Sequence, residues 1–305
     1  MNRKIGQDDG TEKTVGKWSG TRNVERMHSV ARFVPISIRP AVRYLVCLAT
    51  DSVHFVLRQG GPLIPPTRLM FDGPPSIRAF KENGEAFLKY YINLCQLRPD
   101  EAILDVGCGI GRKSIPLTRY LDQTGHYEGF DAARTGIDWC RDHVSMSYPN
   151  FNFQHADVFN GRYNPKGKIR DSQYRFPYES GSFDVAVAAS VFTHMLPGGM
   201  RNYVSEIARV LRTGGRGLLT FFLRNDESRA LLEARKSVLD FRYEMGVFRS
   251  TSLKTPEDAV RYDESFVRDL IETYQLAIRE PIYYGRWSGR KDFLNFQDII
   301  ISRKT

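Results

Sequence analysis

Four cysteines in 305 residues are too few and too scattered to staple a fold. Cys47, Cys95, Cys108 and Cys140 form no Cys-x-x-Cys pair and fit no zinc spacing, which excludes a disulfide framework and a zinc-finger reading. A reduced, cytoplasmic setting is expected, with simple burial as the role of Cys95 and Cys140. Long hydrophobic runs are missing as well. The nearest approach, Tyr44 to Ala49, falls far short of the roughly 18 apolar residues that cross a bilayer. The opening segment, with Asn2, Arg3, Lys4, Asp8 and Asp9, lacks the charged-then-apolar order of a secretory signal. There is no internal repeat, no low-complexity tract and no long block of one charge sign.

What is present suits a folded chain: 41% hydrophobic residues supply a sizeable core, and 26% charged residues argue against a disordered or fibrous chain. The net charge of +9 admits nucleic acid, an anionic membrane surface or a phosphorylated small molecule as partner, or serves solubility alone. The basic residues are dispersed and no RNP-type or C2H2-type pattern occurs, so a nucleic-acid partner is not expected.

Residues 1 to about 30 read as a polar tail. Apolar residues then cluster from Val30 to Leu57, with Arg32, Arg39, Arg43 and Arg58 among them. The part after Pro40 reads as a basic amphipathic helix, suited to a membrane surface or a lid, or else packed on the core; peripheral membrane contact would run through residues 30–58. The breaker cluster Gly60-Gly61-Pro62 divides an extension, residues 1–60, from a main domain, residues 61–305. Helical spacing links Ile77, Phe80, Phe87, Leu88, Tyr91 and Leu94.

After Pro99, strand and helix alternate. Strands are expected at Ala102–Val106, Tyr127–Asp131, Phe151–His155, Phe183–Ala189 and Gly217–Leu223. Helices are expected at Lys113–Leu121, Thr135–Ser147 and through Tyr203, Ile207, Val210 and Leu211. Two late strands follow, at Ala277–Tyr284 and Phe293–Ser302. The charged stretch at 224–275 interrupts the alternation and reads as a mostly helical insertion. This pattern predicts an α/β, doubly wound, mostly parallel sheet with helices on both faces.

The chemistry concentrates in Ile103-Leu104-Asp105-Val106-Gly107-Cys108-Gly109-Ile110-Gly111, a strand running into a glycine-rich turn. Glycines let the backbone turn sharply and a ligand approach closely. Asp131 ends the next strand, about 20 residues past the last glycine, where a carboxylate can accept hydrogen bonds from both hydroxyls of a ribose. A dinucleotide fingerprint would place its third glycine where Arg112 stands; here Gly111 comes one residue earlier. Asp105 would repel a pyrophosphate and suits an ammonium and a sulfonium instead. These features favour S-adenosylmethionine over NAD, with an ordinary strand-to-helix turn as the bland alternative.

The span from about Leu97 to Leu223 resembles the class I, Rossmann-like, S-adenosylmethionine-dependent methyltransferases, and is similar to bacterial small-molecule and glycan-associated members. The motifs occur in order: Ile103–Gly111, Phe130-Asp131, Ala156-Asp157-Val158, Pro177–Asp184, and Ala208–Gly217. The resemblance implies a seven-stranded sheet with its last strand antiparallel. It implies cofactor contacts from Asp105, Gly107, Cys108, Gly109, Gly111, Asp131, Ala132, Asp157, Val158 and Ser190. Asp157 matches the position that meets the adenine amino group.

For the acceptor, His194 in Ser190-Val191-Phe192-Thr193-His194-Met195 is the candidate general base, or else packs near the cofactor and holds a loop. Ala189-Ser190-Val191-Phe192 replaces the Asn-Pro-Pro-Tyr of enzymes that methylate amino groups of nucleic acids. Tyr284 and Trp287, with Arg286 and Arg290 interleaved, suit a sugar or phosphate, and Tyr91 would join them from the preceding helix; packing within the fold is the alternative. Tyr163 to Lys168 would cap the acceptor site or form a solvated loop. The expected function is O-methylation of a sugar hydroxyl or related small molecule. Methylation of RNA or protein and an inactive cofactor-binding scaffold are the alternatives; the intact Asp105, Gly107, Gly109 and Asp131 argue against the scaffold.

Overall fold

The computed structural model describes residues 39–56 and 61–305, so the expectations for the tail and for the rest of 30–38 and 57–60 lie outside the described residues. Helix α1, Arg39–Val56, includes Pro40 in its first turn and so starts slightly earlier than the expected helix after Pro40. It is tied to the turn at Thr67–Leu69: the Asp51 carboxylate accepts from the Thr67 N–H at 2.5 Å and from Arg68 Nη1 at 2.9 Å. Cys47 is buried, but Leu45, Val46, Val53 and Val56 stay exposed. Among the described residues no helix is long and apolar enough to cross a membrane.

Helix α2, Ile77–Asn93, starts at Ser76, whose hydroxyl accepts from the Ala79 N–H, and buries Phe80, Phe87, Leu88, Tyr90 and Tyr91. Five strands then alternate with helices: β1 (Ala102–Val106), β2 (His126–Asp131), helix α3 (Arg134–Cys140), β3 (Phe151–His155), β4 (Phe183–Ala188), helix α4 (Pro197–Val210) and β5 (Leu211–Phe221). Next come β6 (Leu223–Arg224), helix α5 (Asp226–Glu233), β7 (Tyr243–Met245), β8 (Phe248–Ser250) and β9 (Val260–Asp263). Helix α6 (Glu264–Thr273), β10 (Leu276–Tyr283) and β11 (Asp298–Lys304) complete the order.

The main sheet has seven strands in the order β10-β11-β5-β4-β1-β2-β3. Strands β1 to β5 pair in parallel, and β11 runs antiparallel to both neighbours. Alternate residues of β1 feed opposite faces. Leu104 and Val106 join a core with α4 and α6, while Ile103 joins another with α2 and α3. The strand order reverses at β1, which has β2 on one side and β4 on the other. At such a switch point the crossovers part and leave a crevice beyond the strands' carboxyl ends.

The last strand begins at Asp298 rather than Phe293, β5 begins at Leu211 rather than Gly217, and α3 ends at Cys140; three further differences have clear causes. Lys113–Leu121 holds only a short 3-10 turn, Ile115–Arg119, because Pro116 has no N–H to donate and lies against α2, where a Cβ on Gly84 would stand 2.9 Å from its ring. The insertion is not mostly helical: β6, β9, β8 and β7 form a second sheet. Its hairpin turns at Gly246-Val247, with Gly246 at φ 73°, as a two-residue hairpin requires of its first turn residue. Strand β5 stops at Phe221 rather than running to Leu223, since the ring of Phe222 joins Phe241, Trp287 and Phe296.

Asp298 joins these parts. Fully buried, it accepts from the Gly285 N–H at 2.5 Å, the Leu223 N–H at 2.6 Å and Trp287 Nε1–H at 2.8 Å. Replacing it with Ala would leave three buried donors unpaired. Asp298→Ala is expected to destabilise the chain by roughly 4 kcal/mol, at about 1–3 kcal/mol per orphaned group. Urea unfolding monitored by circular dichroism checks this, and a loss below about 1 kcal/mol would reject the role.

Candidate active site

The turn after β1 lies in the crevice at the switch point. Gly107, Gly109 and Gly111 have φ of 72°, 60° and 76°, values that side chains rarely adopt. Space is short too. A Cβ at Gly107 would stand 2.7 Å from Val191 Cγ2, one at Gly109 2.6 Å from Asp72 Oδ2, and one at Gly111 2.9 Å from Cys140 Sγ. The turn is fastened to β2, because the N–H groups of Gly107 and Cys108 both donate to the Phe130 carbonyl, at 2.9 and 3.1 Å. Cys108 is buried and burial pushes its thiol up, so it contributes backbone here rather than a reactive sulfur.

Three carboxylates surround this turn. Asp131 Oδ2 accepts from the Gly109 N–H at 2.8 Å and its Oδ1 from the Ala133 N–H at 2.7 Å, which sets the carboxylate across the turn. Each oxygen keeps a free lone pair for a further donor. Asp105 is buried and accepts from the Tyr127 hydroxyl at 3.0 Å through Oδ2, while its Oδ1 has no partner. Burial pushes the Asp105 carboxyl up to about 6, the charges of Asp131 and Asp72 push the same way, and Lys113 opposes them. Burial also raises Asp131.

The third, Asp72, was not singled out in the sequence. Its Oδ1 pairs with the buried Arg112 at 3.0 Å, and its Oδ2 is buried without a partner. The signal was Phe71-Asp72-Gly73, an acid ahead of a breaker cluster that reads as mere punctuation. Two orphaned, buried carboxylate oxygens beside one turn leave an electrostatic demand that only a cation or a hydrogen-bond donor meets. That set of acceptors fits the ammonium of S-adenosylmethionine and disfavours a pyrophosphate.

Farther along the same edge, the Asp157 carboxylate makes no hydrogen bond among the described residues. The backbone of Asp157 is held by the Lys168 and Ile169 N–H groups, at 3.1 and 3.0 Å, and Val158 bridges to Ile169. Ala132 precedes α3, and its carbonyl lies 3.2 Å from His155 Nε2. The link between β3 and β4 folds back over this edge: the Tyr163 ring lies 5.5 Å from that of Phe71, beside Asp72.

Beyond β4, Ser190 has φ of 63°, an uncommon conformation for a residue with a side chain. It is held by Thr220, which accepts from the Ser190 N–H at 2.8 Å, and by Gln297, which accepts from the Ser190 hydroxyl at 3.1 Å. Gln297 also accepts from the Thr220 hydroxyl at 2.7 Å and donates to Thr193 at 3.4 Å. Gln297 and Thr220 lie far from Ser190 in sequence, and no local motif marks them. His194 Nδ1 is 3.0 Å from the Glu257 carbonyl. A carbonyl only accepts, so Nδ1 carries the hydrogen and Nε2 keeps its lone pair. Burial lowers the His194 pKa, with the Arg162 charge adding to it, so the ring is neutral at pH 7.

The aromatic acceptor residues need correction. Tyr91 is buried in the core between α2 and the sheet, and Trp287 is fully buried against Phe222 and Phe241 with its indole N–H bound to Asp298. Apolar packing has taken both rings from the crevice. Tyr284 donates to Glu264 and carries the Arg290 guanidinium 4.4 Å over its ring, so one face is already covered.

A family model described as a methyltransferase domain matches residues 103–215. The chain is 28% identical over 174 residues to the methyltransferase GfsG of Streptomyces halstedii, covering 56% of this chain and 51% of that protein. It is 31% identical over 119 residues to the O-methyltransferase cnsE of Penicillium expansum, covering 38% of this chain and 36% of that protein. The chain thus spans about half the length of the first relative and about a third of the second. Among solved structures it is similar to a SAM-dependent methyltransferase of Methanosarcina mazei, at 21% identity and a TM-score of 0.47, over 68% of this chain and 94% of that one. The segment that the methyltransferase domain model matches, residues 103–215, holds both the glycine turn and the acid closing β2, and it runs from β1 into β5, through the parallel strands of the main sheet.

Proposed function

We propose that the chain transfers a methyl group from S-adenosylmethionine to a hydroxyl of a small molecule, a sugar or a related compound. The observation that carries this reading is the trio Asp72, Asp105 and Asp131 around a glycine turn, with two buried oxygens lacking partners. S-adenosylmethionine, when bound, supplies a methyl group already activated on a sulfonium. Asp105 and Asp72 would hold its ammonium, Asp131 its ribose hydroxyls, and Asp157 with Val158 its adenine edge. Gly107, Gly109 and Gly111 keep the turn free of side chains.

A hydroxyl acceptor is supported by the name of the Penicillium relative, an O-methyltransferase, and by His194. The Glu257 carbonyl fixes the ring so that Nε2 is free to take the hydroxyl proton. The Ser190–Thr220–Gln297 network holds the loop carrying His194 at the carboxyl end of β4. The test is parallel calorimetric titration with S-adenosylmethionine and NADH. Saturable binding of the first alone supports the reading, and binding of NADH alone refutes it.

Each part of the site has its own expected outcome. Asp131→Ala is expected to weaken S-adenosylmethionine binding about ten- to hundredfold, the scale of hydrogen bonds to a charged group, and unchanged affinity in calorimetry would reject its role. His194→Ala should lower kcat about a hundredfold or more with cofactor affinity intact. In the unaltered enzyme the acid limb of kcat should lie below pH 6.5, because the base is lost only as pH falls through a lowered His194 pKa. A limb above that value, or an unchanged rate in the variant, argues against the base.

Asp105→Asn separates stability from function. The Asp105 pKa of about 6 exceeds the ordinary carboxylate value, so its contribution is favourable below the unfolded pKa and is lost as pH rises through about 6. Asp105→Asn should therefore raise stability at pH 7.5 by up to about 3 kcal/mol, flatten its pH dependence between about 4 and 6, and weaken the cofactor. Thermal melts at pH 5 and 7.5 check the sign.

A further inference from the structure

At the opposite end of the main sheet, roughly 15 Å from the glycine turn along β1, lies a cavity of about 340 Å³. Five of the residues lining it are arginines: Arg98, Arg212, Arg216, Arg279 and Arg303. Three of them have structural work. Arg216 grips the buried Glu101 with both terminal nitrogens, at 3.1 and 2.6 Å. Arg98 reaches Glu101 and Asp100, at 3.0 and 3.2 Å, and Arg212 pairs with Asp184. These pairs lock the starts of β1, β4 and β5 together.

Arg279 and Arg303 have no such account. Both are exposed, and neither forms an ion pair or hydrogen bond among the described residues. Strand register makes their placement costly. Arg303 of β11 stands directly opposite Arg216 of β5, and Arg279 of β10 is its diagonal neighbour, since Arg303 faces Ala277. Like charges across a ladder repel; Glu101 already offsets Arg216, so the uncompensated pair is Arg303 and Arg279. The Arg303 guanidinium also lies over the turn at Gly214, its Nη2 3.5 Å from where a Cβ would stand. Gly214, which lines the cavity, has φ of 79°, a conformation that favours a residue without a side chain.

We propose that this cavity is an anion site for a small molecule bearing two or three linked phosphates, separate from the methyl-transfer site. Guanidinium groups match phosphate oxygens in paired hydrogen bonds, and a bound polyanion removes the repulsion between Arg279 and Arg303. The volume is at the lower end for ligand pockets and larger than one phosphate needs. The lining is confined to eight residues at one end of the sheet, which suits a compact ligand rather than a nucleic-acid strand tracking a long groove.

The experiment is calorimetric titration of the full chain with sodium tripolyphosphate at low ionic strength. Saturable binding at one site is expected, and Arg279→Gln with Arg303→Gln should weaken it about ten- to hundredfold. S-adenosylmethionine affinity should stay unchanged in the same variant, which separates this site from the proposed catalytic one. The melting temperature of the ligand-free variant should equal or exceed that of the parent, because repulsion is relieved. If the double variant fails to fold, Arg279→Gln alone, on the edge strand β10, carries the test. Absent binding, or binding undiminished by the substitutions, overturns the proposal. Single-stranded RNA binding through the same arginines without saturable tripolyphosphate binding overturns it in favour of nucleic acid.

Discussion

The backbone between Val106 and Arg112 has to turn left-handed three times in five residues, and every part of the candidate site is arranged around that path. Three positive φ angles need glycine. Glycine in turn leaves space that neighbours fill: Val191 from beyond β4, Asp72 from ahead of α2 and Cys140 from α3 all come within 3 Å of the missing Cβ positions. Asp131 and Phe130 then fasten the turn by accepting its N–H groups. Elements distant in sequence therefore converge because one short segment carries no side chains. The same convergence places carboxylates where water cannot fully solvate them, which makes the site attractive to a cation and costly while it waits for one.

The fold was largely legible in the sequence where the pattern was repeated. Strands β1 to β4 fell within a residue of their expected positions, since each is a short apolar run bounded by turn residues. Legibility failed where one residue outweighed a pattern: Pro116 stopped a helix, and Phe222 ended a strand by turning into an aromatic cluster. The second sheet was missed because its strands are two to four residues long and set among charges, leaving Gly246 as the main clue.

The candidate site divided in the same way. Asp105, the three glycines and Asp131 lie on one contiguous motif and its correctly spaced acid, so they were readable. Asp72, Thr220 and Gln297 reach the crevice only through tertiary structure. Tyr91 and Trp287 show the reverse error: an aromatic side chain looks alike in sequence whether it faces a ligand or the core, and burial decided for the core. The buried Asp298 illustrates why, since its carboxylate draws the Trp287 indole inward.

The position of β11 bears on how the chain comes to be folded. Last in sequence among the strands, it lies second in the sheet, between β10 and β5. Among the described residues strand β10 has no other partner in the sheet, and the outer edge of β5 is covered by β11 alone. During synthesis the parallel half of the sheet can form as it emerges, yet it presents an open, apolar edge along Leu218 to Phe221 until residues 298–304 arrive. The nascent chain therefore carries that unpaired edge for as long as translation of roughly 80 residues takes. At about 5–20 residues per second, that interval is several seconds, long compared with the folding of the elements already made.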